Sequence, residues 1–382
     1  MCTRHDNVDP KSAFVLAMQF LRSKYSVLCF LFLLVGSSTS YPQGISASGK
    51  QALKLQQQGQ LHEAEEIWRG ITQQHPEDVQ ALANLGLVRA LQGQYSEAVT
   101  AYQSAIKLNP KLPELQFNLG LAYFKEKQPK AAITALKSAA AQNPRDAKPK
   151  ILLGVIYFGS ARYAEAIPYL EEAVASSPTN LQLRMSLAQS CLSVKKYQCT
   201  LEQYRQILMQ NTESAQAHLL AGEALDGLGR TEDAIAQFRE AEKVGPDELE
   251  VHYGLAYLLW KQRRFDEAEA EFRLELVNDP SSASSLTYLG DIAMKRNDEA
   301  RAMIMLTRAA ALSGAIRLTY MDLGILHVGL HQNEDAEADF KHAVQMDPNE
   351  SDAHWRLARL YRAMGEKGKS EGEMAKVMAL TK

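Results

Sequence analysis

The sequence predicts an all-α solenoid of stacked helix hairpins, and three columns of residues predict it. One column, mostly proline, steps by 34 residues without insertion: Pro76, Pro110, Pro144, Pro178, Thr212, Pro246, Pro280, Gly314 and Pro348. A second keeps the step with alanine: Ala64, Ala98, Ala132, Ala166, Thr200, Ala234, Ala268, Ala302 and Ala336. A third is small: Gly86, Gly120, Gly154, Ala188, Gly222, Ala256, Gly290, Gly324 and Ala358, with leucine usually just before it. A period of this length marks a repeat array whose units cannot bury their apolar faces alone and therefore stack.

Each unit reads as two helices. A large apolar column (Trp68, Tyr102, Leu136, Leu170, Tyr204, Phe238, Phe272, Leu306, Phe340, Met374) follows the alanine column by 4 residues. A further alanine column (Ala105, Ala139, Ala173, Ala241, Ala309, Ala343) follows that by 3, which makes one helical stripe. In the third unit, Pro113 to Asp146, apolar Leu115, Leu119, Leu121 and Tyr123 mark a first helix ending near Lys127. Pro129 suits the start of a second helix, with Ala132 and Ala139 on its small face. Asn143-Pro144 stops it, because the residue before proline leaves the α region. The small columns belong where two helices cross closely. The large column fills space between successive hairpins. No alternating β-branched run suggests a strand.

Taken in order, residues 1–40 read as a secretory signal peptide, 41–44 as a short linker and 45–382 as ten repeats, the fifth and tenth degenerate. Tyr25 to Gly36 is an apolar run flanked by Arg22 and Lys24 before and small residues after. It is short for a membrane span, which needs about 20 residues. An exported, periplasmic or secreted protein is expected, or one anchored to an inner membrane through residues 25–36. The charged stretch before the run is long, so translation starts at Met1 or at Met18, the latter giving a compact signal. The chain has 382 residues, 46% hydrophobic and 23% charged, with net charge −3. Cleavage after Ser40 would remove Arg4, Lys11, Arg22 and Lys24 against Asp6 and Asp9, shifting the charge to −5. Mild acidity argues against nucleic acid as the main ligand.

The fifth unit has Ala188, Thr200 and Thr212 in the small, alanine and proline columns. It also holds Cys191 and Cys199, the two cysteines left once Cys2 and Cys29 go with the signal. Two cysteines facing each other across the turn Val194 to Tyr197 of an exported protein suggest a disulfide, contributing about 2–3 kcal/mol. Two buried, unbonded cysteines are the alternative. In the tenth unit a last helix, Glu371 to Thr381, mixes Met and Ala with Lys and Glu, as a cap with one wet face would.

The pattern resembles the tetratricopeptide repeat family. Leu119-Gly120, Tyr123, Ala132, Ala139 and Pro144 match its signature, as do Leu153-Gly154, Tyr157, Ala166, Ala173 and Pro178. The resemblance implies a right-handed superhelix of about ten 34-residue helix-turn-helix repeats whose first helices line an inner groove that binds peptides or protein segments. On this sequence that face carries Phe117, Leu121 and Phe124, then Ile151, Val155 and Phe158, then Tyr253, Tyr257 and Trp260, then Met321, Ile325 and Val328. Glu223, Asp226 and Asp291 add acid, and Trp355 stands with Arg359 and Arg362 at the exit. Part of such a stripe can equally be core between repeats. As a whole it is more apolar than a solvated surface needs, which marks a partner site.

No phosphate loop, HExxH, CxxC or GxSxG occurs. His327, His331 and Glu334 straddle a helix end and a turn, so they read as surface or packing residues, and no metal or cofactor is expected. The chain is expected to be a non-catalytic scaffold that holds an apolar helix or extended segment with some basic residues. A self-associating solenoid is a second reading. An accessory subunit of an envelope polysaccharide- or lipid-processing complex is a third, resting on family analogy alone.

Overall fold

The computed structural model describes residues 46–381. The expected signal peptide, the linker, both possible starts, and Cys2 and Cys29 lie outside the described residues. Within them the regular structure is twenty α-helices and no strand.

The described residues divide into two compact units, one running to Gln210 and the other starting at Asn211. The division falls beside Thr212, where the proline column is interrupted. Unit 1 holds five hairpins. They are α1 (Ala47–Gln57) with α2 (Leu61–Gln74), α3 (Val79–Leu91) with α4 (Tyr95–Leu108), and α5 (Pro113–Lys125) with α6 (Pro129–Gln142). Next come α7 (Ala147–Gly159) with α8 (Tyr163–Ser176), and α9 (Leu181–Ser193) with α10 (Tyr197–Leu208). Unit 2 holds five more. They are α11 (Ala215–Gly227) with α12 (Thr231–Val244), α13 (Val251–Lys261) with α14 (Phe265–Asn278), and α15 (Ala283–Lys295) with α16 (Glu299–Ala310). The last are α17 (Arg317–Gly329) with α18 (Asn333–Met346), and α19 (Ser351–Ala363) with α20 (Lys367–Leu380). Inside each unit, the second helix of a hairpin packs on its own partner and on the first helix of the next hairpin.

Local chemistry sets the helix ends. Proline opens α5 and α6, where its missing N–H costs nothing. Asp78, Asp146, Asn180, Ser214 and Ser282 cap first helices by accepting a backbone N–H two or three residues on. The turn inside every hairpin contains one residue in the left-handed region: Gly59, Gly93, Lys127, Ala161, Lys195, Gly229, Arg263, Asn297, His331 and Gly365. These ten positions also step by 34, yet only four are glycine.

The columns become contacts. The alanine column is fully buried wherever it is alanine. A Cβ on Gly86, Gly120, Gly222 or Gly324 would stand 2.7 Å or less from the large residue sixteen positions on, respectively Tyr102, Leu136, Phe238 and Phe340. Phe238 also lies against Gly254 of the next hairpin, so the large column does fill the space between hairpins.

The departures are compensated. Thr200 is fully buried, and its hydroxyl donates to the Ala188 carbonyl at 3.3 Å. In the tenth hairpin Ser370 donates to the Ala358 carbonyl at 2.9 Å. Both bonds reach back twelve residues to the small column, so a polar atom in the alanine column is satisfied by the crossing helix. Cys191 and Cys199 are joined by a disulfide, with Cα atoms 5.9 Å apart, tying α9 to α10. The last helix differs from the expected Glu371–Thr381: α20 begins at Lys367. The hairpin turn at Gly365 sets that start, and the polar Lys-Gly-Lys-Ser opening concealed it.

Candidate functional site

The expected binding stripe separates into two different environments. In unit 1, Phe117, Phe124, Val155 and Phe158 are buried in one continuous core cluster with Leu153, Tyr157 and Leu170. Leu121 and Ile151 are half-buried against that cluster. The Phe158 ring meets Tyr163 edge-on at 5.9 Å. A hollow of about 30 Å³ beside Phe124 and Val155 has the size of a single water site. These residues pack repeats together. Every position of α7 from Leu152 to Gly159 is buried, so its apolar side chains serve as core rather than as an open face.

In unit 2 the stripe is half-open. Tyr253, Tyr257 and Trp260 project from α13 at helical spacing, each half-buried. Successive ring centroids are 6.5 and 6.0 Å apart. All three converge on Tyr288 of α15, at 6.3, 5.6 and 4.8 Å respectively. Tyr288 is 1% exposed and stacks on Phe272 at 5.3 Å, anchoring the cluster to the core. The sequence reading missed Tyr288, although it lies two residues before Gly290 of the small column.

Acidic groups border these rings. Trp260 donates its indole N–H to Asp291 Oδ2 at 2.6 Å, and Lys295 Nζ donates to Asp291 Oδ1 at 2.8 Å. Lys261 pairs with Asp226 at 2.7 Å across α11 and α13. On α11, burial first and then the Glu250 charge push the Glu223 carboxyl up to about 7. Asp322 on α17, absent from the expected set, is 5% exposed. Burial, then the charge of Asp291, push its carboxyl up to about 8, with Lys295 and Arg356 pulling the other way.

The helices α11, α13, α15 and α17 touch one another in succession, so the rings and acids lie on neighbouring first helices. Farther along unit 2, Met321 is buried and Ile325 half-buried against the core cluster around Phe340. Val328 and Trp355 are exposed. The Trp355 ring carries the guanidinium of Arg359 at 4.7 Å and of Arg356 at 5.4 Å, and Arg362 is exposed. The face thus offers aromatic area, acidic groups beside it and a cationic end, an arrangement suited to holding a peptide-like segment.

His327 and His331 do not meet as a ligand pair. His327 Nδ1 is 2.6 Å from Asp339 Oδ2, and His331 sits exposed in the left-handed turn position. Both described cysteines are in the disulfide. No helix among the described residues is long and apolar enough to cross a membrane.

A tetratricopeptide repeat family model matches residues 117–180, 151–198, 201–243, 219–283, 253–315 and 321–376, and a second TPR repeat model matches 86–127. Anaphase-promoting complex subunit 3 of Schizosaccharomyces pombe is 23% identical over 151 residues, covering 40% of this chain and 23% of that protein. A TPR repeat-containing protein of Treponema pallidum is 29% identical over 156 residues, covering 40% of this chain and 19% of that protein. The chain therefore spans about a fifth of the length of these curated relatives. Among solved structures, a tetratricopeptide repeat protein from Parabacteroides merdae aligns with a TM-score of 0.52 at 20% identity. It covers 65% of this chain and 98% of its own.

Proposed function

Because this chain belongs to the tetratricopeptide repeat family, a fold of protein–protein interaction scaffolds, we propose that it is a non-catalytic scaffold that binds a partner segment on the first helices of unit 2. The segment is an amphipathic helix or extended stretch with apolar anchors and at least one basic residue. The observation that carries this reading is the half-buried cluster of Tyr253, Tyr257 and Trp260 over Tyr288, bordered by Asp291, Asp226 and Glu223. Rigid aromatic side chains beside desolvated polar groups are typical hot-spot material. Phe117, Phe124, Val155 and Phe158 of unit 1 are excluded from the proposed face because they are core.

A peptide-display selection against the purified protein tests the reading. Selected peptides should carry aromatic or aliphatic anchors spaced with Lys or Arg. Tyr257→Ala/Trp260→Ala should weaken them by about 2 kcal/mol or more while the helical circular dichroism is unchanged. Equal affinity for both proteins would move the site elsewhere.

Self-association is the second reading, and exposed Leu274, Val277 and Ile304 on α14 and α16 favour it. A monomer at micromolar concentration in light scattering would count against it. Export through residues 1–40 is part of the proposal. Peptides from residues 1–17 in the protein isolated from its native cell would oppose both cleavage and a start at Met18.

A further inference from the structure

Unit 2 brings together three metal-ligating side chains that the sequence separates by 10 and 19 residues: Glu242, His252 and Glu271. Their ligand atoms all lie within 4.8 Å of one another. Each comes from a different helix: Glu242 from α12, His252 from α13 and Glu271 from α14. His252 is 4% exposed, and its Nδ1 stands 2.7 Å from Glu271 Oε2. Glu242 and Glu271 are half-buried, so the cluster is held by the fold but open on one side.

The repeats supply an internal comparison. One repeat earlier, His218 Nδ1 meets Gln237 at 2.9 Å, and three repeats later His354 Nδ1 meets Glu373 at 2.5 Å. A histidine paired with a polar residue nineteen positions on is thus a structural device of this array and accounts for His252 and Glu271 by themselves. It does not account for Glu242. The equivalent position is Thr72, Ile106, Ala140, Val174, Leu208, Leu276, Ala310, Val344 and Met378 in the other repeats. A carboxylate stands where every other repeat has an uncharged residue, in the one repeat where it faces a second carboxylate across an imidazole. Two such carboxylates repel each other, and a cation bound between them relieves that repulsion.

We propose that Glu242, His252 and Glu271 form a binding site for a divalent transition-metal ion, Zn(II) foremost. One imidazole and two carboxylates are a borderline donor set that suits zinc better than calcium or magnesium. Three protein ligands leave a coordination position for solvent. The ion would staple α12, α13 and α14, fixing the helix that carries Tyr253, Tyr257 and Trp260. The site stands independently of any partner on that face.

The test is zinc titration of the chelator-treated full chain by calorimetry, with thermal unfolding in parallel. One equivalent should bind and raise the melting temperature. Glu242→Leu, which installs the residue found one repeat earlier, should keep the fold and weaken zinc binding by at least about tenfold. Glu373→Gln, which alters the equivalent pair without a third ligand, should leave it unchanged. Absence of stoichiometric binding to the wild type, or wild-type affinity in Glu242→Leu, would overturn the proposal.

Discussion

Asp322 holds a carboxylate oxygen, Oδ2, with no hydrogen-bond partner among the described residues, at a position 5% exposed and near Asp291. Its carboxyl titrates near 8 in the folded chain and near 4 when unfolded. Between those values the folded state binds the extra proton, so its stability falls as pH rises from about 4 to about 8 and the penalty is complete above 8. Asp322→Asn should be more stable than wild type at pH 9 by about 1–3 kcal/mol, with the gap closing toward pH 4. Urea denaturation across that range checks it, and a gap independent of pH would show that Asp322 is not the titrating group. Asp291 is readable as an acid on a first helix, but Asp322 is not distinguishable from a solvated aspartate in the sequence. The charges that act on it, Asp291 on α15 and Arg356 on α19, are about one repeat away along the chain.

The hairpin turn is the element where sequence and conformation part company. All ten turns place one residue in the left-handed region, but the position holds Gly, Lys, Ala, Arg, Asn or His. The conformation is imposed by the helices it joins, whose packing outweighs a local strain of about 1–2 kcal/mol for a residue with a Cβ. Ala161→Gly should therefore stabilise the protein by roughly 0.5–1 kcal/mol, and Gly93→Ala should destabilise it by a similar amount. Equilibrium unfolding of the two variants checks the opposite signs. The helix pairs themselves were legible because proline, glycine and alanine are selected by local sterics. The turn column was not, because six of its ten members lack the residue type that would reveal it.

At the scale of the molecule, the array is a sum of hairpins and their nearest-neighbour contacts. Unit 1 contains the disulfide and Trp68, while Trp260 and Trp355 lie in unit 2. Reduction should cost unit 1 about 2–3 kcal/mol by the chain-entropy estimate. A variant retaining Trp68 as its single tryptophan should show that loss as a lower fluorescence midpoint in denaturant. An unchanged midpoint would mean that the Thr200 bond and the packing around Leu187 already hold the fifth hairpin.

The sequence by itself determined the period, the pairing of helices and the positions where they cross, because each depends on residues within one repeat or its neighbour. Glycine at the crossing, alanine beneath it and proline at the exit are steric requirements that leave a residue type behind. Only the tertiary structure decided which apolar side chains are core and which form an open face. Phe117 and Tyr253 occupy equivalent first-helix positions, four repeats apart, and both suit either role, and the neighbouring hairpins bury one and leave the other half-buried. The same holds for Glu242, His252 and Glu271, whose common site exists only where three helices meet.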